Sequence, residues 1–163
     1  DSCPIAAYCQ ARLLKVQEDR PVRAPKKHVP HLIVAAAIIH QEDKVLIARR
    51  PVEGLLGGLW EFPGGTLEDK DADLSACLVR EIEEELGVSI VVDSFFGRYQ
   101  HAYTHFKITL HAFLCQLADD RQPRCLACDD WRWVSLAELS QYPMGKVDRL
   151  IANRLMVEGL PDE

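Results

Sequence analysis

The alternation of apolar and polar residues predicts a mixed α/β domain that begins at residue 31. Residues 31–40 are almost wholly apolar and rich in Ile, Val and Ala, which is typical of a buried strand. Residues 41–43 form a predicted turn into a second strand at 44–50, and residues 63–65 are predicted to break the chain after the third strand. The later strands are predicted at residues 60–62, 88–96, 100–117 and 131–134.

Two helices are predicted from spacing and capping signals. In residues 73–86, Leu74, Leu78, Ile82 and Leu86 recur every four positions, and Gly87 follows as a C-cap. An amphipathic helix is also predicted at residues 146–157, and residues 11–16 are helix-like. The pattern therefore predicts an α/β fold.

The chain divides into a tail, a linker and a domain. Residues 20–30 contain three Pro and four Lys or Arg, which predicts an extended and exposed segment, because proline fixes φ and removes a hydrogen-bond donor. We therefore separate residues 1–19 and the linker 20–30 from the domain at 31–163.

Composition and charge narrow the possible functions. With 163 residues, 48% of them hydrophobic, the chain is long enough for one globular domain with a core. The 19 Lys and Arg against 25 Asp and Glu give a net charge of −6, which argues against unaided binding of phosphate backbones. No apolar run is long enough to span a membrane. Six cysteines without a secretory signal predict a reducing, intracellular and cytoplasmic setting.

Three glutamates carry the candidate chemistry. Glu81, Glu84 and Glu85 stand at i, i+3 and i+4, so a helix places their carboxylates on one face. Such crowding is favourable when a cation is bound, and carboxylates are ligands that Mg²⁺ prefers. The alternative is a solvated acidic face without a ligand.

Residues 64–88 resemble the Nudix box, with Arg-Glu-apolar-x-Glu-Glu-x-Gly-apolar matched from residue 80 to 88. The resemblance implies a Nudix α/β/α sandwich with a mixed sheet. It implies that Glu81, Glu84 and Glu85 bind Mg²⁺ or Mn²⁺, that the Gly64 carbonyl joins them, and that Arg80 orients the cluster. In a hydrolase, Glu84, Glu81 and Arg80 would be the catalytic residues.

The spacing before the helix departs from the family pattern. One additional residue lies between Gly65 and Arg80. Asp71 fits the position of the family's acidic residue, and Asp73 is the alternative. The insertion leaves the carboxylate face intact, so metal binding is expected more firmly than turnover.

Several blocks resemble the C-terminal part of MutY-type adenine DNA glycosylases, and they span essentially the whole chain. Residues 50–63, 101–106 and 130–134 are similar to that family's segments. Cys3 and Cys9 stand in Cys-Pro-x4-Cys-x-Ala, which resembles the last two ligands of its [4Fe–4S] cluster. Residues 1–19 would then be the remnant of a cluster segment, with the glycosylase domain preceding Asp1.

By this resemblance the domain recognises 8-oxoguanine opposite the adenine that is removed in base-excision repair. Thr104 would read the lesion edge, flanked by Tyr103 and His105, and the partner would be damaged duplex DNA bound together with a glycosylase domain. A hydroxyl group suits this task because 8-oxoguanine differs from guanine by a protonated N7 and an O8. The alternative is an ordinary turn with solvated polar residues.

Two other functions compete with this interpretation. The first is a stand-alone Nudix pyrophosphohydrolase acting on 8-oxo-dGTP. Such enzymes carry an acidic residue where alignment places Ala127 and Cys128, and an asparagine that has no counterpart in residues 144–147. The second is a non-catalytic interaction module that recruits a partner through residues 20–28.

Two further groups of residues have weaker signals. Cys125 and Cys128 have the spacing of half a zinc or redox site, and structural thiols are the favoured interpretation. Arg49 and Arg50 are expected to be surface cations rather than phosphate contacts.

Overall fold

The computed structural model describes residues 3–19 and 29–160, in which a mixed sheet of seven strands is covered by helices. The strands are β1 (His31–Gln41), β2 (Lys44–Arg49), β3 (Trp60–Glu61), β4 (Gly64–Thr66), β5 (Ile90–Ala102), β6 (Lys107–Leu117) and β7 (Asp130–Ser135). The helices are α1 (Gln10–Leu13), α2 (Leu74–Leu86) and α3 (Lys146–Glu158), with 3₁₀ turns at Ala6–Tyr8 and Leu136–Gln141.

Strand β1 lies at the centre of the sheet. The strand order is β3-β2-β1-β6-β5, with β4 paired to β1 and β7 paired to β2. Strands β1 and β6 are parallel, and the other pairs are antiparallel. A strand with neighbours on both sides and helices over both faces has to be apolar where it is covered, which explains the apolar run at residues 32–39.

The two faces of β1 belong to two separate cores. Ala35 and Ile39 pack in the core with α2, whereas Ala36 and Ile38 pack in the core with α3. This alternation follows from the two-residue period of a strand. The predicted α/β/α sandwich is therefore confirmed.

Helix α2 ends where its predicted C-cap lies, and Asp73 caps its beginning. The Asp73 carboxylate accepts a hydrogen bond from the Ala76 N–H at 2.8 Å, and Gly87 adopts a left-handed φ of 66° after the last turn. Within the predicted stripe, Leu78, Ile82 and Leu86 are fully buried. Leu74 is only half-buried, because it lies in the first turn.

Strand β5 corrects the prediction of a break after residue 96. The strand continues to Ala102, and the chain turns at residues 103–106 instead. Two bulges lie between Val92 and Ser94 and between Phe95 and Gly97. They shift the alternation of apolar and polar residues without ending the strand. Gly97 leaves room for a neighbour, since a Cβ there would lie 2.9 Å from Nη1 of Arg154.

Strand β4 corrects the prediction that residues 63–65 only interrupt the chain. Gly64 and Gly65 pair with Ala36 and Ala35 of β1. Gly64 has a φ of 152°, and a Cβ there would lie 2.2 Å from the Ala35 carbonyl oxygen. The glycine therefore permits close approach of two strands rather than a chain break.

The linker prediction lies mostly outside the described residues, because the structure describes only residues 29 and 30 of that segment. The hypothesis of an interaction module at residues 20–28 stays a prediction. Among the helices of the described ranges, none combines the length and the apolar composition needed to cross a membrane.

Candidate functional site

Arg80 contacts two of the three candidate glutamates, Glu81 and Glu84. Its Nη1 atom lies 3.0 Å from Oε1 of Glu81 and 3.1 Å from Oε2 of Glu84. The Glu81 side chain is 15% exposed and that of Glu84 is 56% exposed, so the pair lies at the edge of a buried region. The guanidinium offsets the repulsion between the carboxylates.

Asp71, rather than Asp73, is the acidic partner of this arginine. Both Nε and Nη2 of Arg80 lie 2.8 Å from an oxygen of Asp71, whereas Asp73 caps the helix. These hydrogen bonds hold the pKa of the Asp71 carboxyl well below its usual range and raise the pKa of Arg80. Of the two acidic residues that the inserted residue left as alternatives, the structure thus places Asp71 in contact with Arg80.

Strand β4 contacts the same carboxylates from the other side. A Cβ at Gly65 would lie 2.1 Å from Cδ of Glu81, so Glu81 packs directly on this glycine. Burial and the Glu81 charge raise the pKa of Glu85 to about 7, and a hydrogen bond from the Gly64 N–H opposes this. The helix and β4 together form one acidic surface.

The donors on this surface fit Mg²⁺ chemically, since they are carboxylate oxygens. Within residues 3–19 and 29–160, however, no three His, Cys, Asp or Glu side chains are arranged so that they could hold a metal ion. The side chains of Glu81 and Glu84 already form ion pairs with Arg80. A bound cation would have to compete with it, so the ligand roles of these glutamates and Gly64 stay predictions.

A cavity of about 140 Å³ adjoins Gly64 and Gly65. Apolar residues of β1 and β6, Tyr103 and Phe106 form much of its wall, and its charged side chains are Arg50, Glu61 and Asp148. The acidic surface of α2 and this cavity therefore meet at β4.

The charged residues of the cavity are held by hydrogen bonds and by each other. Nη1 of Arg50 donates to Glu61, and the Asp148 carboxylate accepts from the Phe62 N–H at 3.1 Å. Burial raises the pKa of Asp148 to about 6. Burial also raises the pKa of Glu61 to about 8, although Arg50 opposes this shift. The cavity can therefore present a protonated Glu61 near neutral pH, whereas Asp148 becomes protonated at a lower pH.

Sequence reasoning missed these cavity residues. Arg50 is 36% exposed, as a surface cation would be, but it also pairs with Glu61 in the cavity wall, which the sequence did not indicate. Glu61 stands between buried Trp60 and Phe62, and a charged residue there was a usable signal. Asp148 lies on the same helix face as the buried apolar residues of α3, one position beyond the segment 144–147.

The predicted hairpin at residues 101–106 is present. The Tyr103 N–H donates to the Phe106 carbonyl at 2.8 Å, and their rings stack with centroids 4.6 Å apart. The His101 ring meets the Tyr103 ring edge-on. Thr104 and His105 are exposed at the tip. The stacked rings of Tyr103 and Phe106, which line the cavity, lie beneath the tip and form its aromatic base.

Cys3 and Cys9 lie together in the N-terminal segment. Both line a surface depression formed with Pro4 and Ala6, and Cys9 directly precedes α1. The cluster interpretation of these thiols stays a prediction.

Comparison with known proteins agrees with this architecture. The sequence profile described as the NUDIX domain matches residues 34–154, which is most of the chain. The chain belongs to the Nudix family. This family's hydrolases generally use Mg²⁺ or Mn²⁺, which is consistent with the oxygen donors on α2.

Relatives within the family differ in their activities. The chain is 39% identical over 82 residues to an 8-oxo-dGTP diphosphatase of Proteus vulgaris, covering 50% of this chain and 72% of that protein. It is 34% identical over 95 residues to an adenine DNA glycosylase of Mus musculus, covering 58% of this chain and 18% of that protein. The solution structure of the E. coli ORF135 protein has a TM-score of 0.68 and 30% identity, covering 85% of this chain and all of that one.

Proposed function

We propose that this Nudix domain recognises 8-oxoguanine as the C-terminal domain of an adenine DNA glycosylase, which removes adenine from 8-oxoguanine:adenine mispairs in base-excision repair. The observation that best supports this proposal is the hairpin of residues 103–106, which exposes Thr104 and His105 above the stacked rings of Tyr103 and Phe106. Damaged duplex DNA is the partner, and a separate glycosylase domain performs the excision.

The hairpin tip suits recognition of a base edge. Within the two described ranges, neither Thr104 nor His105 has a hydrogen-bond partner, so both side chains are available to a ligand. The Thr104 hydroxyl can accept from the N7–H of 8-oxoguanine or donate to its O8, whereas guanine has an acceptor at N7 and no O8. The stacked Tyr103 and Phe106 rings limit the movement of the tip.

The cavity beside the hairpin also favours this function. Its volume of about 140 Å³ is below the roughly 300–1,000 Å³ of pockets that enclose small-molecule ligands. A nucleoside triphosphate would need the walls to move, whereas a base in DNA can be read by the exposed tip. The Cys3–Pro4 and Cys9 motif lies outside the matched NUDIX segment and supports a relation to the glycosylases.

The test is a comparison of adenine release from 8-oxoguanine:adenine and guanine:adenine duplexes by the domain joined to its glycosylase domain. Thr104→Ala should lower the preference for the lesion by about 3- to 10-fold, the equivalent of one net hydrogen bond. Thr104→Ser keeps the hydroxyl and should retain most of the preference. An unchanged preference in Thr104→Ala would refute the role of this residue.

Ser94→Ala is the matched control. Ser94 is exposed on the same strand that leads to the hairpin but lies outside the tip. Both alanine variants should change the stability of the domain by less than about 0.5 kcal/mol, since exposed side chains are replaced. An effect of Thr104→Ala that Ser94→Ala does not show is therefore specific to recognition.

A second candidate function is Mg²⁺-dependent hydrolysis of an oxidised nucleoside triphosphate such as 8-oxo-dGTP. The observation that favours it is the acidic surface of α2, where Arg80 holds Glu81 and Glu84 beside a cavity that contains Asp148. Bound Mg²⁺ would polarise a phosphoryl oxygen and activate water. The cavity carboxyls Glu61 and Asp148 would contact the base.

Turnover of 8-oxo-dGTP by the purified chain tests this candidate. Glu84→Gln should abolish any hydrolysis, while Glu83→Gln should not, because Glu83 is exposed on the same helix outside the contacts of Arg80. Equal activity of the parent and Glu84→Gln would eliminate hydrolysis by this surface. That outcome leaves lesion recognition by the hairpin unaffected.

A further inference from the structure

Two cysteines outside the candidate site have their sulfur atoms in contact. Cys125 and Cys128 lie in the segment between β6 and β7, and their Sγ atoms are 2.6 Å apart. Cys125 is exposed and Cys128 is half-buried, so a small reagent can reach the pair. Cys77 of α2 and Cys115 of β6 are instead completely buried in the core between the helix and the sheet.

The surroundings of this pair favour a disulfide over a metal. A structural zinc site needs four ligands of the Cys or His type. Within the ranges 3–19 and 29–160, no group of three or more His, Cys, Asp or Glu could hold a metal ion. The two thiols are therefore each other's reaction partners.

The segment that carries the pair is fastened to the end of α2. The N–H groups of Leu126 and Ala127 donate to the Glu85 carbonyl at 2.9 and 3.3 Å, and the Arg124 N–H donates to the Leu86 carbonyl at 2.8 Å. The last carbonyls of a helix have no partner within the helix, so this segment completes the C-terminus of α2. Its conformation is thus linked to the backbone of Glu85.

We propose that Cys125 and Cys128 are a redox modification site that forms an intramolecular disulfide by exchange with low-molecular-weight disulfides and thereby locks the segment 124–128 onto the end of α2. A disulfide has sulfur atoms about 2.05 Å apart. Closure therefore requires the two sulfurs to approach by only about half an ångström.

The exchange proceeds in two displacements. The Cys125 thiolate attacks one sulfur of the small disulfide, which forms a mixed disulfide and releases one thiolate. Cys128 loses its proton to solvent, and its sulfur attacks Sγ of Cys125, which forms the intramolecular bond and releases the second thiolate. Two protein thiols are oxidised, and one small disulfide is reduced to two small thiols.

Peptide mapping of the full chain tests the proposal. The reduced protein is incubated with oxidised glutathione, quenched with acid, alkylated under denaturing conditions and digested with trypsin. Cleavage after Arg124 and Arg132 places both cysteines in one peptide that contains no other cysteine. We expect this peptide to resist alkylation and to be lighter by two hydrogen atoms than its reduced form, while Cys77 and Cys115 are alkylated.

Single variants distinguish the steps. In Cys128→Ser, Cys125 should stop at the mixed disulfide with glutathione. In the Cys3→Ser/Cys9→Ser variant, the peptide should still become oxidised, which excludes exchange with the N-terminal thiols. A parent peptide that is fully alkylated, that retains glutathione, or that is linked to another cysteine would overturn the proposal.

Hydrogen exchange measured by NMR tests the link to α2. Oxidation should slow exchange of the Leu126 and Ala127 amides several-fold in the parent, and dithiothreitol should reverse this. Cys125→Ser should show no change with the same treatment. Unchanged amide exchange in an oxidised parent would overturn the locking of this segment.

Discussion

Arg80 and Asp71 form an ion pair with two parallel contacts, in which Nε and Nη2 each lie 2.8 Å from one carboxylate oxygen. Asp71 comes from the loop before α2, so it fixes the plane of the guanidinium from outside the helix. The remaining nitrogen, Nη1, then faces Glu81 and Glu84. Asp71 therefore positions the glutamates through Arg80, which a single contact within the helix could not do.

Asp71→Asn should weaken the binding of Mg²⁺ by about 10- to 100-fold, as is typical when a residue that orients a metal ligand is changed. The variant loses the charge that holds Arg80, which is then free to rotate over the carboxylates. Calorimetric titration of the purified chain with Mg²⁺, and with Mn²⁺ as a second probe, measures the effect.

Asp73→Ala is the control for this experiment. It removes the N-cap of α2 and should cost about 1 kcal/mol of stability, yet the contacts of Arg80 remain. The affinity for Mg²⁺ should therefore fall in Asp71→Asn and remain that of the parent in Asp73→Ala. Equal losses in the two variants would mean that Asp71 acts only through the stability of the helix.

The two glycines of β4 should respond differently to alanine. At Gly64 the new Cβ would lie 2.2 Å from a backbone oxygen of β1, with a left-handed φ, so Gly64→Ala should lower stability by at least about 2 kcal/mol. At Gly65 the Cβ meets the flexible end of Glu81. Gly65→Ala should therefore keep the fold and displace the carboxylate, lowering Mg²⁺ affinity by about 10-fold or more.

Chemical denaturation and metal titration of both variants separate these effects. The expected pattern is a lower denaturation midpoint for Gly64→Ala and a nearly unchanged one for Gly65→Ala. A Gly65→Ala protein that binds Mg²⁺ as the parent does would show that Glu81 is not a ligand.

Helix α2 could be predicted from the sequence because its signals are local. Asp73, Gly87 and the spacing of Leu78, Ile82 and Leu86 all lie within one helix length, and each specifies a position along the chain. The hairpin tip was expected only from its resemblance to the glycosylases, since the alternation predicted one strand over residues 100–117 where the structure has a turn. The break assigned after residue 96 was wrong because bulges disturb the alternation without ending the strand.

The cavity could not be predicted in the same way because distant segments form it. Glu61 comes from β3 and Asp148 from α3, and only the fold brings them to one wall with Arg50. The strand at Gly64 was missed for a similar reason, since glycine normally indicates a turn. Here Gly64 instead permits close approach to Ala35, and this need arises only when the partner strand β1 is in place.

The aromatic base of the hairpin should be needed for a well-ordered tip. Tyr103→Ala removes the ring that stacks on Phe106 and should lower stability by at least about 1 kcal/mol. It should also reduce the preference for 8-oxoguanine, because Thr104 is then less fixed. Tyr103→Phe keeps the ring and should behave as the parent in denaturation and in adenine release. A loss of preference in both variants would instead indicate a direct role of the Tyr103 hydroxyl.

Asp148 should make the stability of the domain depend on pH. Burial raises its pKa from 3.8 to about 6, so between these values the folded state binds more protons than the unfolded state. Stability from this group is therefore full at low pH and is lost as the pH rises from about 4 to about 6. The loss should amount to roughly 2–3 kcal/mol, since one pKa unit corresponds to about 1.4 kcal/mol.

Denaturation of the parent and of Asp148→Asn across pH 4–7 tests this dependence. The amide resembles the protonated carboxyl and can still accept the Phe62 N–H. The difference between the two stability curves cancels the contribution of Glu85, whose pKa is also raised by burial. It retains the contribution of Asp148 together with the part of the Glu61 pKa shift that the Asp148 charge causes. Relative to the parent, Asp148→Asn should gain stability with rising pH. Parallel curves for the parent and Asp148→Asn would show that Asp148 ionises in the folded domain as it does in the unfolded chain.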